Sequence, residues 1–141
     1  HVVRDDGEDA VDLPVPGPVP GRARAHGWVF DAAYLDAAPA GGLAAYCTPA
    51  RQVFDADALG GPLEVRRWRP GDRFAPLGLE GSKTLGDYFT DLGVPVEARR
   101  NALVLVTGGR IAWVIGRAPA AFAAVTDRTR RFLEIRVAQD A

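Results

Sequence analysis

Two apolar runs on either side of Gly108-Gly109 constrain the fold more than any other feature of the chain. Residues 103–106 read LVLV and residues 111–115 read IAWVI. Adjacent glycines are typical of a tight hairpin turn, because they accept the backbone angles that such turns require. Runs without polar alternation are typical of strands that are covered on both faces. The sequence therefore predicts a buried β-hairpin with other structure packed on its two sides.

Further strands are predicted from β-branched and aromatic composition or from alternation. Leu63 and Val65, with Arg67, alternate with Glu64, Arg66 and Trp68, as in a half-buried strand. The predicted strands cover residues 27–35, 51–55, 63–67 and 132–137.

Short helices are predicted in three places. Leu85, Phe89 and Leu92 recur at helical spacing, with Ser82 or Thr84 as N-cap and Gly93 as the stop. Pro95 is tolerated at a helix start, which predicts a short helix through Arg100. A single helical turn is expected after Thr126.

These elements amount to about five or six strands and two or three short helices, which predicts an α+β fold with a β-rich core, for which two packed sheets are one arrangement. Pro14, Pro16, Pro18 and Pro20 remove backbone donors at alternate positions, so this stretch is expected to be an extended edge or a turn. Residues 1–11 are acidic and are interpreted as a tail or the end of a linker. Residues 12–141 are interpreted as one domain.

Composition excludes several classes of protein. Of 141 residues, 48% are apolar and 25% are charged, a balance that suits a globular domain and not a membrane span. The single cysteine, Cys47, excludes an internal disulfide, and two histidines, His1 and His26, form no ligand cluster. Asp55 and Asp57 could hold a metal, but turn and capping roles are favoured.

Charge is divided unevenly along the chain. Residues 1–62 contain four Arg and nine acidic residues, a net charge of −5, whereas residues 63–141 contain thirteen basic and nine acidic residues, a net charge of +4. A basic half is compatible with an anion-binding face, although chance segregation explains a sum of this size equally well. The chain also begins with His1 and contains no Met. We therefore expect it to be a piece of a longer polypeptide.

The only lysine, Lys83, lies in a glycine-containing loop before a predicted helix. The loop GLEGSKT departs from a P-loop, which needs Gly where Ser82 and Leu77 stand. Small residues, exposed N–H groups and one ammonium still suit a phosphate of a nucleic-acid backbone. A basic surface loop without a ligand is the alternative.

Arg66, Arg67, Arg69 and Arg73 crowd around Trp68 and the Pro70-Gly71 turn. Guanidinium groups bind phosphates in bidentate fashion and stack on bases, so this surface is a candidate for RNA contact. At least one of these arginines is instead expected to pair with a carboxylate such as Asp72 or Asp87. No catalytic triad, metal cluster or dinucleotide motif occurs in the sequence, so no self-contained active site is predicted.

Residues 63–116 resemble the C-terminal domain of bacterial tRNA(Ile)-lysidine synthases. The resemblance is carried by LEVRRWRPGDRFAPLGLEGSKTLGDYF, then VPVEARR, then LVLVTGGRIAWVIG, in the family's order and spacing. FDADAL before them and VTDRTRRFLEIRV after them also fit. The resemblance covers residues 50–137 well and residues 12–49 only loosely.

The resemblance implies a fold of packed sheets and short helices that is shared with a domain of phenylalanyl-tRNA synthetase. It implies a parent enzyme in the cytoplasm that uses ATP, with magnesium, and lysine to convert the wobble cytidine of isoleucine tRNA with a CAU anticodon to lysidine. Codon reading thereby changes from AUG to AUA. The ATP loop of the family, SGGxDS, is absent from this chain. The chain is therefore expected to bind no cofactor and to be non-catalytic.

The resemblance also implies partners and site residues. The expected partners are the acceptor-stem side of isoleucine tRNA and the parent's N-terminal catalytic domain, with no membrane and with a homodimer left open. Pro70, Gly71, Asp72 and Gly81 are expected to shape the motif. The predicted tRNA-binding residues are Arg66, Arg69, Arg73, Ser82, Lys83, Arg99 and Arg100.

Two departures from the family pattern, Thr84 and Val96 where basic residues are common, would shift RNA contact toward Arg99 and Arg100. The alternative is a structural, interdomain or dimerisation module in which the arginines pair internally.

Overall fold

The computed structural model describes residues 9–14 and 20–140. Their ten strands are β1 (Val11–Leu13), β2 (Gly21–Ala25), β3 (Trp28–Leu35), β4 (Arg51–Asp55), β5 (Leu63–Arg67), β6 (Arg73–Phe74), β7 (Lys83–Thr84), β8 (Leu103–Thr107), β9 (Arg110–Val114) and β10 (Phe132–Gln139). Their helices are α1 (Leu43–Tyr46), α2 (Ala56–Leu59), α3 (Leu85–Asp91), α4 (Val96–Arg99) and a 3₁₀ helix (Ala121–Ala123).

Two four-stranded antiparallel sheets form the body of the domain. The central sheet has the order β1-β5-β8-β9, and the outer sheet has the order β2-β3-β10-β4. Strands β6 and β7 form a separate two-stranded ribbon. The α+β fold with a β-rich core of packed sheets is confirmed.

The central sheet is covered on both faces, which explains the apolar runs of its hairpin. In β8, Leu103 and Leu105 belong to the core between the two sheets, whereas Val104 and Val106 belong to a second core under α3 and the β6–β7 ribbon. Side chains alternate between the faces of a strand, so every residue of β8 is buried. The predicted hairpin of β8 and β9 is confirmed, with positive φ at both turn glycines.

A β-bulge interrupts this hairpin. Leu105 pairs with Trp113 and Val106 pairs with Ile111, which leaves Ala112 as the additional residue. Trp113 is fully buried in the core between the sheets, with its ring 6.0 Å from that of Phe54. The bulge thus sets which face of the sheet receives the largest side chain.

The predicted strands at 27–35, 51–55, 63–67 and 132–137 are confirmed as β3, β4, β5 and β10. The count of five or six strands was wrong, because β1, β2, β6 and β7 were not recognised. β2 reads GRARA, and its small apolar residues carry little β-propensity of their own. Its strand character comes from full pairing with β3.

Helix predictions were confirmed at two of three positions. Thr84 caps α3 by accepting the Asp87 N–H, and α4 begins after Pro95. Leu92 is 51% exposed, however, and Tyr88 takes the buried position instead. The helical turn expected after Thr126 is wrong: the Thr126 hydroxyl accepts the Arg128 N–H in a non-helical turn.

The N-terminal predictions are only partly covered by the described residues. Residues 1–8 and 15–19, including Pro16 and Pro18, lie outside them. Ala10 is buried and Val11 belongs to β1, an edge strand of the central sheet. Asp55 caps α2 through the N–H groups of Asp57 and Ala58, as the capping interpretation predicted.

Candidate nucleic-acid interface

The chain reverses direction directly after β5 in a Pro-Gly turn. The Asp72 N–H donates to the Arg69 carbonyl over 3.0 Å, and Gly71 has a φ of 93°. Pro at the second position and a positive φ at the third are the requirements of a type II turn. The Asp72 carboxylate closes the turn by accepting the Arg69 N–H at 2.6 Å.

Asp72 also binds Arg66, which precedes the turn. The Arg66 Nη1 and Nη2 atoms donate to the two carboxylate oxygens of Asp72 over 2.9 and 3.0 Å. Both side chains are largely buried, 10% and 14% exposed. The guanidinium of Arg66 therefore faces Asp72 and the Arg67 carbonyl, to which it also donates. Its tRNA contact stays a prediction.

Three more of the predicted tRNA-binding residues, Arg73, Ser82 and Lys83, lie in or next to the ribbon of β6 and β7. Arg73 is exposed, and its Nη2 lies 3.4 Å from the Ser82 Oγ, a long contact. Lys83 donates to the Asp91 carboxylate near the end of α3, and its side chain is only 28% exposed. Gly81 has a φ of 71° in the connecting turn. The Arg73 guanidinium and the Ser82 hydroxyl therefore lie together, whereas the Lys83 ammonium is paired with Asp91.

Arg99 and Arg100 differ from each other although they are adjacent. Arg99 donates from Nε to the Val94 carbonyl over 2.9 Å, and its own carbonyl accepts the indole N–H of Trp68. Arg100 is exposed at the end of α4. Arg99 therefore holds α4 against the segments of Val94 and Trp68, whereas the Arg100 side chain is exposed to solvent.

Arg69 is intermediate in exposure between the buried Arg66 and the exposed Arg73. It is partly exposed and lies 3.7 Å from the Asp9 carboxylate, which also accepts the Arg67 N–H. In the described part of the chain, no acidic side chain lies within ion-pair distance of Arg73 or Arg100. These two residues are the nominated arginines with the most accessible charge.

Sequence reasoning did not nominate Arg110, the first residue of β9. It is exposed, and its guanidinium carbon lies 3.7 Å above the centre of the Phe122 ring. Arg73, Arg110 and Phe122 line one groove of about 190 Å³. Residues 73, 110 and 122 are far apart in sequence, so no local pattern connects them. The arrangement of the strands brings them together.

Three larger grooves contain none of the predicted tRNA-binding residues. One, of about 450 Å³, lies on the outer sheet, where Arg22 pairs with Asp31 and Arg136 pairs with Glu134. Another, of about 420 Å³, is mainly apolar and includes Trp28. The third, of about 330 Å³, is lined in part by Arg51 and Arg136. Within residues 9–14 and 20–140, no group of three or more His, Cys, Asp or Glu side chains is arranged to hold a metal. No helix in the same residues is long and apolar enough to cross a membrane.

The fold and this surface define a small α+β domain of two packed antiparallel sheets. It carries an arginine-rich turn, residues 66–72, and the ribbon of β6 and β7. Residues 63–135 match the family model described as the TilS substrate C-terminal domain. The chain belongs to this family. A solved structure, titled as the crystal structure of the TilS C-terminal domain, has the same fold, with a TM-score of 0.73 and 24% identity over 94% of this chain and 98% of that one.

Curated relatives are named tRNA(Ile)-lysidine synthase. The chain is 43% identical over 63 residues to the protein of Bacteroides thetaiotaomicron, which covers 45% of this chain and 15% of that protein. It is 48% identical over 62 residues to the protein of Symbiobacterium thermophilum, covering 44% and 13%. With the Geobacter sulfurreducens protein it shares 38% identity over 84 residues, covering 60% and 18%. These matches span less than a fifth of each relative.

Proposed function

We propose that this chain is the tRNA-binding domain of a tRNA(Ile)-lysidine synthase and carries no catalytic centre of its own. The parent enzyme, acting in the cytoplasm, uses ATP with magnesium to attach lysine to the wobble cytidine of isoleucine tRNA with a CAU anticodon. The chain engages the acceptor-stem side of that tRNA while the N-terminal catalytic domain performs the reaction. Family membership supports the parent activity.

One observation carries the RNA-binding role. Arg73 and Arg100 are exposed, and within the described residues neither has an acidic partner. Exposed guanidinium groups on a fixed ribbon and helix end suit the phosphates of a folded RNA, which are recognised mainly by charge and shape. The predicted phosphate contacts therefore concentrate on Arg73 and Arg100, with Ser82 next to Arg73 and the partly exposed Arg69 as further contacts.

A structural or interdomain module is the second candidate, favoured by a different observation. Arg66, Lys83 and Arg99 use their charged groups in contacts within the domain. If this candidate holds, substitution of the basic residues lowers the melting temperature and leaves tRNA affinity unchanged.

Salt titration of tRNA binding by the 141-residue chain separates the two candidates. We expect binding to an isoleucine tRNA transcript at low salt, with the logarithm of the association constant falling linearly with the logarithm of salt concentration. Arg73→Ala and Arg100→Ala should each weaken binding, and Arg100→Ala should reduce that slope by about one. Lys83→Ala should have a smaller effect, because Asp91 already neutralises the ammonium.

Arg128→Ala is the matched control, since Arg128 is exposed in the turn after residue 126, and the Thr129 hydroxyl joins this turn to Asp55 at the end of β4. It removes the same charge and should leave the slope unchanged. Absence of wild-type binding at low salt would refute the RNA-binding role. Equal losses in all three arginine variants would reduce the effect to net charge and refute the assigned surface.

A further inference from the structure

The groove between β6 and β9 combines two guanidinium groups that are distant in sequence. Arg73 begins β6, Arg110 begins β9 after the Gly108-Gly109 turn, and both line the same space of about 190 Å³. No acidic residue lines this groove. Like charges that line one groove repel each other, and an anion bound in the groove reduces that repulsion.

Arg110 is held in place by Phe122. Its guanidinium carbon lies 3.7 Å from the ring centre, the distance of a close cation–π contact. Stacking uses the face of the guanidinium and leaves its N–H edge available for a bidentate pair. Because the side chain is already ordered by the ring, an anion that binds it loses less conformational entropy.

The surroundings of Arg110 favour close approach by a bulky anion. Gly109 lines the same groove, and a Cβ at this position would meet no atom within 4 Å. The Ser82 hydroxyl does not line the groove, but it lies 3.4 Å from the Arg73 Nη2 and adds a polar group beside that guanidinium. Two arginines, a turn without side chains and no acidic lining residue are features that suit a phosphate on an open surface.

We infer that Arg73 and Arg110 together clamp a single phosphodiester group of the bound RNA, with Phe122 holding Arg110 in position. This inference rests on the proposed tRNA-binding function and adds to it a residue outside the arginine-rich turn and ribbon. The clamp contacts phosphate and no base, so it positions the RNA without contributing sequence specificity.

The test compares Arg73→Ala, Arg110→Ala and the double variant in tRNA binding by the 141-residue chain. Arg110→Ala should weaken binding about tenfold at low salt. Release of counterions depends on how many phosphates are neutralised, so one shared phosphate predicts a loss of about one in the salt slope for the double variant. Separate phosphates predict a loss of about two, and that result would overturn the clamp.

Two further variants separate geometry from charge. Arg110→Lys keeps the charge but cannot form the bidentate pair, so it should retain the salt slope and lose affinity. Phe122→Leu removes the ring under Arg110 and should weaken binding several-fold in wild-type chains but not in the Arg110→Ala background. Equal losses in both backgrounds would overturn the role of Phe122.

The outcomes also distinguish this inference from the proposed function. If the wild-type chain binds no tRNA, the proposed function fails and the clamp fails with it. If the wild type binds and Arg73→Ala weakens it, while Arg110→Ala behaves like the Arg128→Ala control, only the clamp is overturned. An acidic protein segment as the occupant of the groove would give this second result.

Discussion

The buried pair of Arg66 and Asp72 makes a quantitative prediction about stability. Asp72 receives three hydrogen bonds in the arginine-rich turn, two from Arg66 and one from the Arg69 N–H. Asp72→Asn keeps the shape of the side chain and one carbonyl oxygen. It removes the negative charge, and Arg66 is left with a neutral partner at a site where its side chain is 10% exposed.

The expected cost is about 2–3 kcal/mol. Removal of one partner from a buried ion pair costs about 3–5 kcal/mol, and the hydrogen bonds that Asn can still accept reduce this value. For a chain of this length, each kcal/mol lowers the melting temperature by about 3 °C, so a decrease of about 6–9 °C is expected. Urea unfolding followed by circular dichroism measures the same change as a lower midpoint with an unchanged m-value.

Asp127→Asn provides the control, because Asp127 is exposed and the chemical change is identical. It should alter the free energy of unfolding by less than about 0.5 kcal/mol. Arg66→Met and the double variant complete a mutant cycle, in which a coupling energy of at least about 1 kcal/mol is expected for groups in direct contact. A loss for Asp72→Asn no larger than that of the control would refute the structural role of the pair.

Two further predictions concern the outer sheet and α3. A Cβ at Gly21 would lie 2.0 Å from the Pro14 carbonyl oxygen, whereas a Cβ at Gly86 would meet no atom within 4 Å. Gly21→Ala should therefore destabilise the domain by about 2–3 kcal/mol, and Gly86→Ala should stabilise it by about 0.5–1 kcal/mol. Urea unfolding should show opposite shifts of the midpoint for the two variants. The hydrogen bond from Tyr46 to Glu134 raises the pKa of the Tyr46 phenol above its ordinary value of 10.0. Because the folded pKa exceeds the unfolded one, the stabilisation is complete below about pH 10 and is lost as pH rises through the folded pKa. Absorbance at 295 nm should show a late phenol titration that Tyr46→Phe abolishes, and persistence of the late phase in that variant would contradict the assignment.

The parts of the fold that could be predicted from sequence are those that local chemistry determines. The hairpin of β8 and β9 follows from its glycines and uninterrupted apolar runs. Asp55 was assigned a turn or capping role, and Thr84 was one of two N-cap candidates beside Ser82, because a side-chain oxygen at a helix start binds N–H groups two or three residues ahead. The pairing of Arg66 with Asp72 was also accessible, because only a short turn separates the residues.

Other features depend on long-range packing and have no local signal. β2 becomes a strand by pairing with β3, although its sequence of Gly, Ala and Arg has little β-propensity. The contact of Lys83 with Asp91 requires the ribbon to lie along α3. Arg110 and Arg73 line one groove because β6 lies beside β9. Phe122 reaches Arg110 because Ala120, two residues before it, pairs with Pro76 just after β6.

The arginine-rich turn has a folding role that precedes any contact with RNA. The Asp72 carboxylate binds Arg66, and the Asp72 carbonyl accepts the Leu85 N–H, which joins the turn to the first residue of α3. Asp72 is followed directly by Arg73, so these contacts fix where the ribbon begins and thus where Arg73 stands relative to Arg110. Substitution of Asp72 should therefore reduce both stability and RNA affinity, whereas substitution of exposed Arg110 should reduce affinity alone. Measured in one set of variants, this difference separates the residues that build the surface from those that bind through it.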